Sequence, residues 1–245
     1  MIIYPSLEEL ASFAAGLAAG LAAEAMAERG RFCVALSGGS VIRVISPQLT
    51  AEPLRTDINW SGWHVFWADE RCVSPFSPES NYGVAEQLLF RHVPIPRGQI
   101  YALDDTLGAS DAARAYESVL SRVFRTGPAR LPRFDLILLG IGEDGHTASL
   151  FPGHPLLEER DRWVAPVLDA PKPPRERITL TLPVINNARH VLFVVAGAGK
   201  KAILSEVFGS GVHRPGLPAE RIILSDGYLR WLVDAAAAGD LQITD

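Results

Sequence analysis

Along this chain, short unbroken apolar runs alternate with longer stretches in which apolar and polar residues are mixed. An apolar run without polar interruption reads as a strand buried on both faces, as in a parallel sheet. Such runs predict strands at 32–36, 63–68, 134–139, 178–182, 190–196 and 221–224. The segments near 7–29, 40–50, 81–92, 109–126, 198–208 and 226–237 carry helical patterns instead. Strand and helix in alternation predict an α/β fold: a doubly wound, mainly parallel sheet with helices on both faces. Ser6-Leu-Glu-Glu9 reads as a capping box opening the first helix. Proline clusters at 94–96 and 171–174 mark loops, and the second is a candidate flap. No repeat, low-complexity tract or linker breaks the pattern, so a single domain over 1–245 is the simplest organisation.

Composition narrows the partners. A chain of 245 residues can bury a substantial core. A net charge of −5 and a pI near 5.7, without a lysine or arginine run, argue against nucleic acid and anionic membrane as partners. The alanine-rich stretch 10–27 follows Glu8 and Glu9 rather than a basic segment and contains Glu24, so its uncharged part is too short for a membrane span. The only cysteines, Cys33 and Cys72, make no disulfide framework, and a reducing cytoplasm is the expected compartment. Cys72 beside Arg71 is a weak candidate for an activated thiol. With no apolar stripe left over once the helices are assigned, a monomer is expected.

The chemistry concentrates after the run 136–139. Gly140-Ile-Gly-Glu-Asp-Gly-His146 ends a predicted strand in three glycines and delivers Glu143, Asp144 and His146 together. In an open α/β sheet, ligands bind at the carboxyl ends of strands. A histidine and two carboxylates there suit acid–base chemistry on a small molecule. The stretch formally matches G-x-G-x-x-G, but a dinucleotide site needs a long helix directly after it. Here Pro152, Gly153 and Pro155 stop any such helix. The bland alternative is an ordinary strand-to-helix turn with a surface histidine.

Three other strand ends carry candidate groups. Ser37-Gly-Gly-Ser40 can curl its backbone around an anion at a helix start, with Ser40 as the expected N-cap. Asp69-Glu-Arg71 could be a surface ion-pair cluster, or Arg71 could grip an oxyanion while an acid meets hydroxyls. Ser80 or Asn81 reads as a helix cap. Lys200 lies where a strand gives way to a helix, a fitting place for a phosphate cation or for a solvated lysine. No two of the histidines at 64, 92, 146, 154, 190 and 213 have the His-Glu-x-x-His spacing, so no metal is expected. There is no Gly-x-Ser-x-Gly elbow either, which leaves water activated by His146 as the nucleophile.

Taken in order, these motifs, with Ser80-Asn-Tyr82, Thr147-Ala-Ser-Leu-Phe-Pro152, Arg177-Ile-Thr-Leu-Thr-Leu-Pro183 and Gly197-Ala-Gly-Lys200, resemble the 6-phosphogluconolactonase family over nearly the whole chain. The resemblance implies hydrolysis of 6-phosphoglucono-1,5-lactone to 6-phosphogluconate, the second step of the oxidative pentose phosphate pathway, with no metal or organic cofactor. A histidine side chain titrates near working pH, so His146 would take the water proton and return it to the ring oxygen. Asp144 or Glu143 would orient the imidazole or contact hydroxyls. Amides around Gly142 and Gly145 are candidate oxyanion donors. The phosphate would rest on Ser37, Gly38, Gly39 and Ser40 with Arg71 and Lys200, Asp69 would serve hydroxyls, and Arg177 joins as a candidate through its family match. Two departures stand out: Val41-Ile42 where the family often has Thr-Pro, and Ser74 before Pro75.

Two rival readings share the architecture. Glucosamine-6-phosphate deaminase/isomerase resembles Asp-Gly-His-Ile-Ala-Phe-Asn-Glu-Pro after the strand, and this chain lacks that glutamate. A sugar-phosphate-sensing domain of a transcriptional regulator would call for a basic helix-turn-helix, which the sequence does not display.

Overall fold

The computed structural model describes residues 1–127, 130–209, 214 and 216–241. Its strands are β1 (Ile2–Tyr4), β2 (Phe32–Leu36), β3 (Trp63–Trp67), β4 (Asp69–Arg71), β5 (Leu136–Leu139), β6 (Val164–Val167), β7 (Arg177–Leu180), β8 (His190–Val195) and β9 (Tyr228–Asp234). The helices are α1 (Leu7–Arg29), α2 (Ser40–Leu49), α3 (Leu54–Asp57), α4 (Asn81–Ala85), α5 (Ala109–Phe124), α6 (Leu182–Asn186), α7 (Lys201–Phe208) and α8 (Ala235–Ala238).

Six strands form the main sheet in the order β1-β9-β8-β5-β2-β3, and every neighbouring pair is parallel. β2 and β5 are buried along their whole length, as strands covered on both faces must be. From β2 the chain steps outward to β3, whereas from β5 it steps the other way through β8 to β9. The direction of winding therefore reverses between β2 and β5, the topological switch point at which such sheets open a crevice. The two strand ends touch there: Ser37 N–H donates to the Leu138 carbonyl at 2.9 Å.

Helices surround this sheet. α1 starts where Ser6 Oγ accepts the Glu9 amide at 3.1 Å and stops at Gly30, whose φ of +72° suits a residue without a side chain. Length and apolarity alone would let α1 cross a membrane. Its Leu10, Ala14, Ala18, Leu21 and Ala25 are instead buried, where the helix packs on α2, β2 and β9.

The structure departs from expectation at the carboxyl-terminal part of the sheet. Residues 221–224 are not a strand: Pro218–Arg221 is a 3₁₀ turn, and the Ile223 amide donates to Asn186 Oδ1 at 2.9 Å. The last strand is β9, inside the segment expected to be helical, and only Ala235–Ala238 form a helix there. Pairing with β1 on one side and β8 on the other outweighs the helical bias of the neighbouring alanines. The predicted strand near 178–182 forms as β7, but in a separate antiparallel sheet ordered β4-β7-β6. β1, β4 and β6 are too short or too polar to have been read from the sequence. The helix expected over 81–92 divides into α4 and a wider π-helical turn at Glu86–Phe90.

Candidate active site

Four chain segments converge above the switch point around a cavity of about 220 Å³. They are the loop after β2, β4 with its partner β7, the turn after β5, and the turn after β8. Among the expected site residues, Ser37, Gly38, Gly39, Ser40, Asp69, Arg71, Gly142, Glu143, His146, Arg177 and Lys200 line it. Asp144 and Gly145 stand just behind the wall. His213 lies outside the described residues.

The turn after β5 is built to hold one imidazole. Gly142 N–H donates to the His146 carbonyl at 2.8 Å, Gly145 N–H to the Gly142 carbonyl at 3.0 Å, and Thr147 Oγ1 to the Gly140 carbonyl at 2.9 Å. The His146 ring lies directly over Gly142, where an added Cβ would come within 2.0 Å of Nδ1. Gly145 holds a φ of +89°, a conformation side chains resist. The amides of Gly142 and Gly145 are thus engaged inside the turn, so they are not free to serve as the oxyanion donors expected of them.

Asp144, not Glu143, carries the histidine. Its Oδ1 lies 2.5 Å from His146 Nδ1 and 3.3 Å from the His146 amide. Burial alone would raise the Asp144 carboxyl, but the hydrogen bond and charge of His146 outweigh it and hold the group well below the usual carboxylate range. An ionised Asp144 accepts, so Nδ1 carries the proton and Nε2 presents a lone pair, the tautomer a general base needs. Among the described residues Nε2 has no hydrogen-bond partner. Glu143 lies instead near Gly199, on the Lys200 side of the cavity.

The loop after β2, which lines the same cavity, is fixed by its neighbours. Gly39 has a φ of +66° and is itself the N-cap of α2, while Ser40 is the first helical residue and not the expected cap. Gly38 packs so tightly on Asn81 that a Cβ would fall 1.7 Å from Asn81 Oδ1. Ser37 Oγ is buried without a hydrogen-bond partner. So is Arg71 Nε, although Arg71 Nη1 donates to the Glu79 carbonyl at 2.6 Å. Lys200 follows Gly197, whose φ is +90°, and makes no ion pair among the described residues. Ser37 Oγ and Arg71 Nε, with Lys200 beside them on the cavity wall, are donors suited to an anion.

Arg177 lines the cavity and also holds a neighbouring loop. It pairs with Arg71 across β4 and β7 and is only 4 % exposed. Its Nε donates to the Pro174 carbonyl at 2.8 Å and its Nη2 to the Lys172 carbonyl at 2.7 Å. Its Nη1 lies 3.4 Å from Ser149 Oγ, which donates to Asp69 Oδ2 at 2.8 Å. Nε and Nη2 therefore hold the 171–174 loop, whereas Nη1 makes only the long contact to Ser149. That loop brings Lys172 to the cavity wall, a cation the sequence reading missed. Its proline setting was legible as a flap, but not the direction in which the lysine would face. Ser149, fully buried between Asp69 and Arg177, was also missed.

Among the described residues, no group of three or more His, Cys, Asp or Glu is gathered as metal ligands would be.

Residues 5–231 match the family described as glucosamine-6-phosphate isomerases/6-phosphogluconolactonase. A rice (Oryza sativa subsp. indica) protein named probable 6-phosphogluconolactonase 3, chloroplastic, is 44 % identical over 99 % of this chain and 76 % of its own length. Its Arabidopsis thaliana counterpart, 6-phosphogluconolactonase 3, chloroplastic, is 41 % identical over 98 % of this chain and 74 % of its own. The solved 6-phosphogluconolactonase of Trypanosoma brucei superposes with a TM-score of 0.83 at 26 % identity, covering 98 % of both chains. On the sequence match and the shared fold alike, the chain belongs to the glucosamine-6-phosphate isomerase/6-phosphogluconolactonase family.

Proposed function

We propose that this protein is a 6-phosphogluconolactonase, hydrolysing 6-phospho-D-glucono-1,5-lactone to 6-phospho-D-gluconate in the oxidative pentose phosphate pathway. The observation that carries the reading is one cavity lined both by an Asp144-oriented His146 and by the open donors Ser37 Oγ and Arg71 Nε with Lys200. The family membership and the lactonase names of its relatives support it.

His146 Nε2 removes a proton from water as the oxygen attacks the lactone carbonyl carbon. The imidazolium so formed is stabilised by the Asp144 carboxylate. As the tetrahedral intermediate collapses, the bond from carbon to ring oxygen breaks, and the imidazolium proton passes to that oxygen. Products are the carboxylic acid and a free hydroxyl, and His146 is again neutral. The phosphate is held by the amides of Gly38, Gly39 and Ser40 and the hydroxyls of Ser37 and Ser40 with Arg71 and Lys200, which anchors the sugar so that its carbonyl lies before the base. Asp69 and Glu143 are placed to receive sugar hydroxyls.

The protein acts as a monomer in a reducing compartment, with the cytoplasm favoured by its two free cysteines. Its plant relatives named chloroplastic make the plastid stroma the alternative. The deciding experiment is lactone turnover by purified protein, followed as acid release above the spontaneous rate. Release no faster than background, with folded protein, would leave a sugar-phosphate-binding domain as the better description.

A further inference from the structure

Next to Asp69 and Arg71 lies a carboxylate that the reaction does not use. Glu70 is 2 % exposed and faces away from the cavity. Its Oε1 accepts the amides of Arg71 at 2.7 Å and Asn81 at 2.9 Å, and its Oε2 accepts the Tyr82 amide at 2.7 Å and Ser80 Oγ at 3.3 Å. A buried carboxylate satisfied by three amides and a hydroxyl ties β4 to the first turn of α4. From that turn the Asn81 side chain runs back towards the site. Its Nδ2 donates to the Asp69 carbonyl at 2.8 Å, and its Oδ1 packs against Gly38. Glu70, Asn81 and Gly38 thus form a continuous contact path from the back of β4 to the anion loop.

We propose that Glu70 is a positioning residue for the phosphate end of the site, clamping α4 so that Asn81 sets the shape of the 37–40 loop and the course of Arg71. The inference rests on the phosphate reading above. It assigns no chemistry to Glu70; the carboxylate acts through Asn81 and its own strand. Geometry makes the clamp depend on charge, because only an ionised carboxylate offers acceptors to all four donors. Burial pushes the Glu70 carboxyl up to about 7, against the pull of the three amides, with Asp69 adding to the rise. The other titratable groups around it are Arg71 and Cys72 beside it in sequence, Tyr116 of α5, and Tyr82 and Asp105 around a small neighbouring cavity. Its partner across β7 is the apolar Ile178.

The test compares Glu70→Gln and Asn81→Ala with the unmodified enzyme on the phosphorylated lactone and on unphosphorylated glucono-1,5-lactone. Glu70→Gln keeps the volume but turns an NH₂ towards donors. Each variant is expected to raise KM for the phosphorylated lactone about tenfold while kcat stays within about threefold, the scale of one misplaced charge-assisted hydrogen bond. kcat/KM for the unphosphorylated lactone should move by less than about threefold on the same scale. In the unmodified enzyme, binding of 6-phosphogluconate should tighten as pH rises through about 7 beyond what Glu70→Gln shows; the ligand's own ionisation is common to both. Equal losses on the two substrates would reduce Glu70 to a structural residue and overturn the proposal. So would an unchanged KM in Asn81→Ala, which decides the matter if Glu70→Gln does not fold. An unmodified enzyme that treats both lactones alike would remove the phosphate reading itself, and this inference with it.

Discussion

The two ends of β5 carry the same residue types in opposite states. At its amino end, Asp135 is 5 % exposed and accepts from Arg29 Nε at 3.1 Å and from the Cys33 amide at 2.8 Å, with Arg189 Nε in ion-pair range at 3.4 Å. At its carboxyl end, Asp144 holds a histidine whose second nitrogen is open, and the nearby cation Lys200 has no partner among the described residues. Both Asp135 oxygens are engaged, Oδ1 by Arg29 and Oδ2 by the Cys33 amide, so its chemistry ends in stability. At the other end Ser37 Oγ and Arg71 Nε have no hydrogen-bond partner among the described residues, donors that the proposed phosphorylated substrate would use. Charge clusters at a strand end thus say little until their unsatisfied groups are identified.

The comparison breaks most easily at His146. His146→Ala should lower the catalysed rate by about 10²–10⁴-fold with the fold intact, the span for losing a general base. A near-normal rate after subtracting spontaneous hydrolysis would remove the histidine from the mechanism. Gly142→Ala tests the same geometry without touching a reacting group, because its Cβ would displace the ring. Its rate should fall towards that of His146→Ala while the melting temperature changes little.

At the closed end the expected cost is stability. Asp135→Ala orphans the buried Cys33 amide and removes a charge-assisted hydrogen bond from the part-exposed Arg29, and should destabilise by about 2–4 kcal/mol. Activity per folded molecule should not change. A chemical denaturation midpoint beside an active-site titration separates the two quantities, and a loss of activity without loss of stability would erase the contrast.

A smaller effect is expected for the anion site. Arg71→Ala or Lys200→Ala should weaken 6-phosphogluconate binding by about 1.5–3 kcal/mol each, the worth of a charge-assisted hydrogen bond. The unphosphorylated acid should bind nearly as before. Calorimetric titration of both ligands checks this, and equal losses would show that these cations do not read the phosphate.

The smallest effect is on pH-dependent stability, and the buried Glu70 and half-buried Asp144 have opposite signs. Glu70 holds its proton more tightly when folded, so its contribution is complete below the ordinary glutamate range and fades as pH rises to about 7. Asp144 is held low, so its contribution is present above the ordinary aspartate range and is lost only as pH falls through its depressed folded value. Urea midpoints across mildly acidic pH should therefore decline towards neutrality by an amount that Glu70→Gln abolishes. A flat difference between the two proteins would show that Glu70 does not titrate there.

Much of this was legible without coordinates. The buried runs of β2, β3, β5 and β8 and the capped helix α1 were readable because their signals are local: apolar continuity, a serine three residues before a glutamate, a glycine at a helix end. The Gly140–His146 turn was legible for the same reason, since a histidine can lie over residue 142 only if that residue lacks a side chain. β9 was misread because alanine bias is local while strand pairing on both sides is not.

By itself, then, the sequence determined the alternating parallel architecture and the residues at its strand ends, because these follow from short-range periodicity and steric rules. Only the tertiary structure decided their roles. It chose Asp144 over Glu143 as the histidine's partner, engaged the Gly142 and Gly145 amides within the turn, and turned Arg177 into the anchor of the loop that carries Lys172. It also raised the Glu70 carboxyl by enclosing it between β4 and α4. The physical reason is common to all four: whether a polar group reacts, binds or merely holds depends on which donors and acceptors surround it. Those neighbours come from chain segments that meet only when the sheet closes.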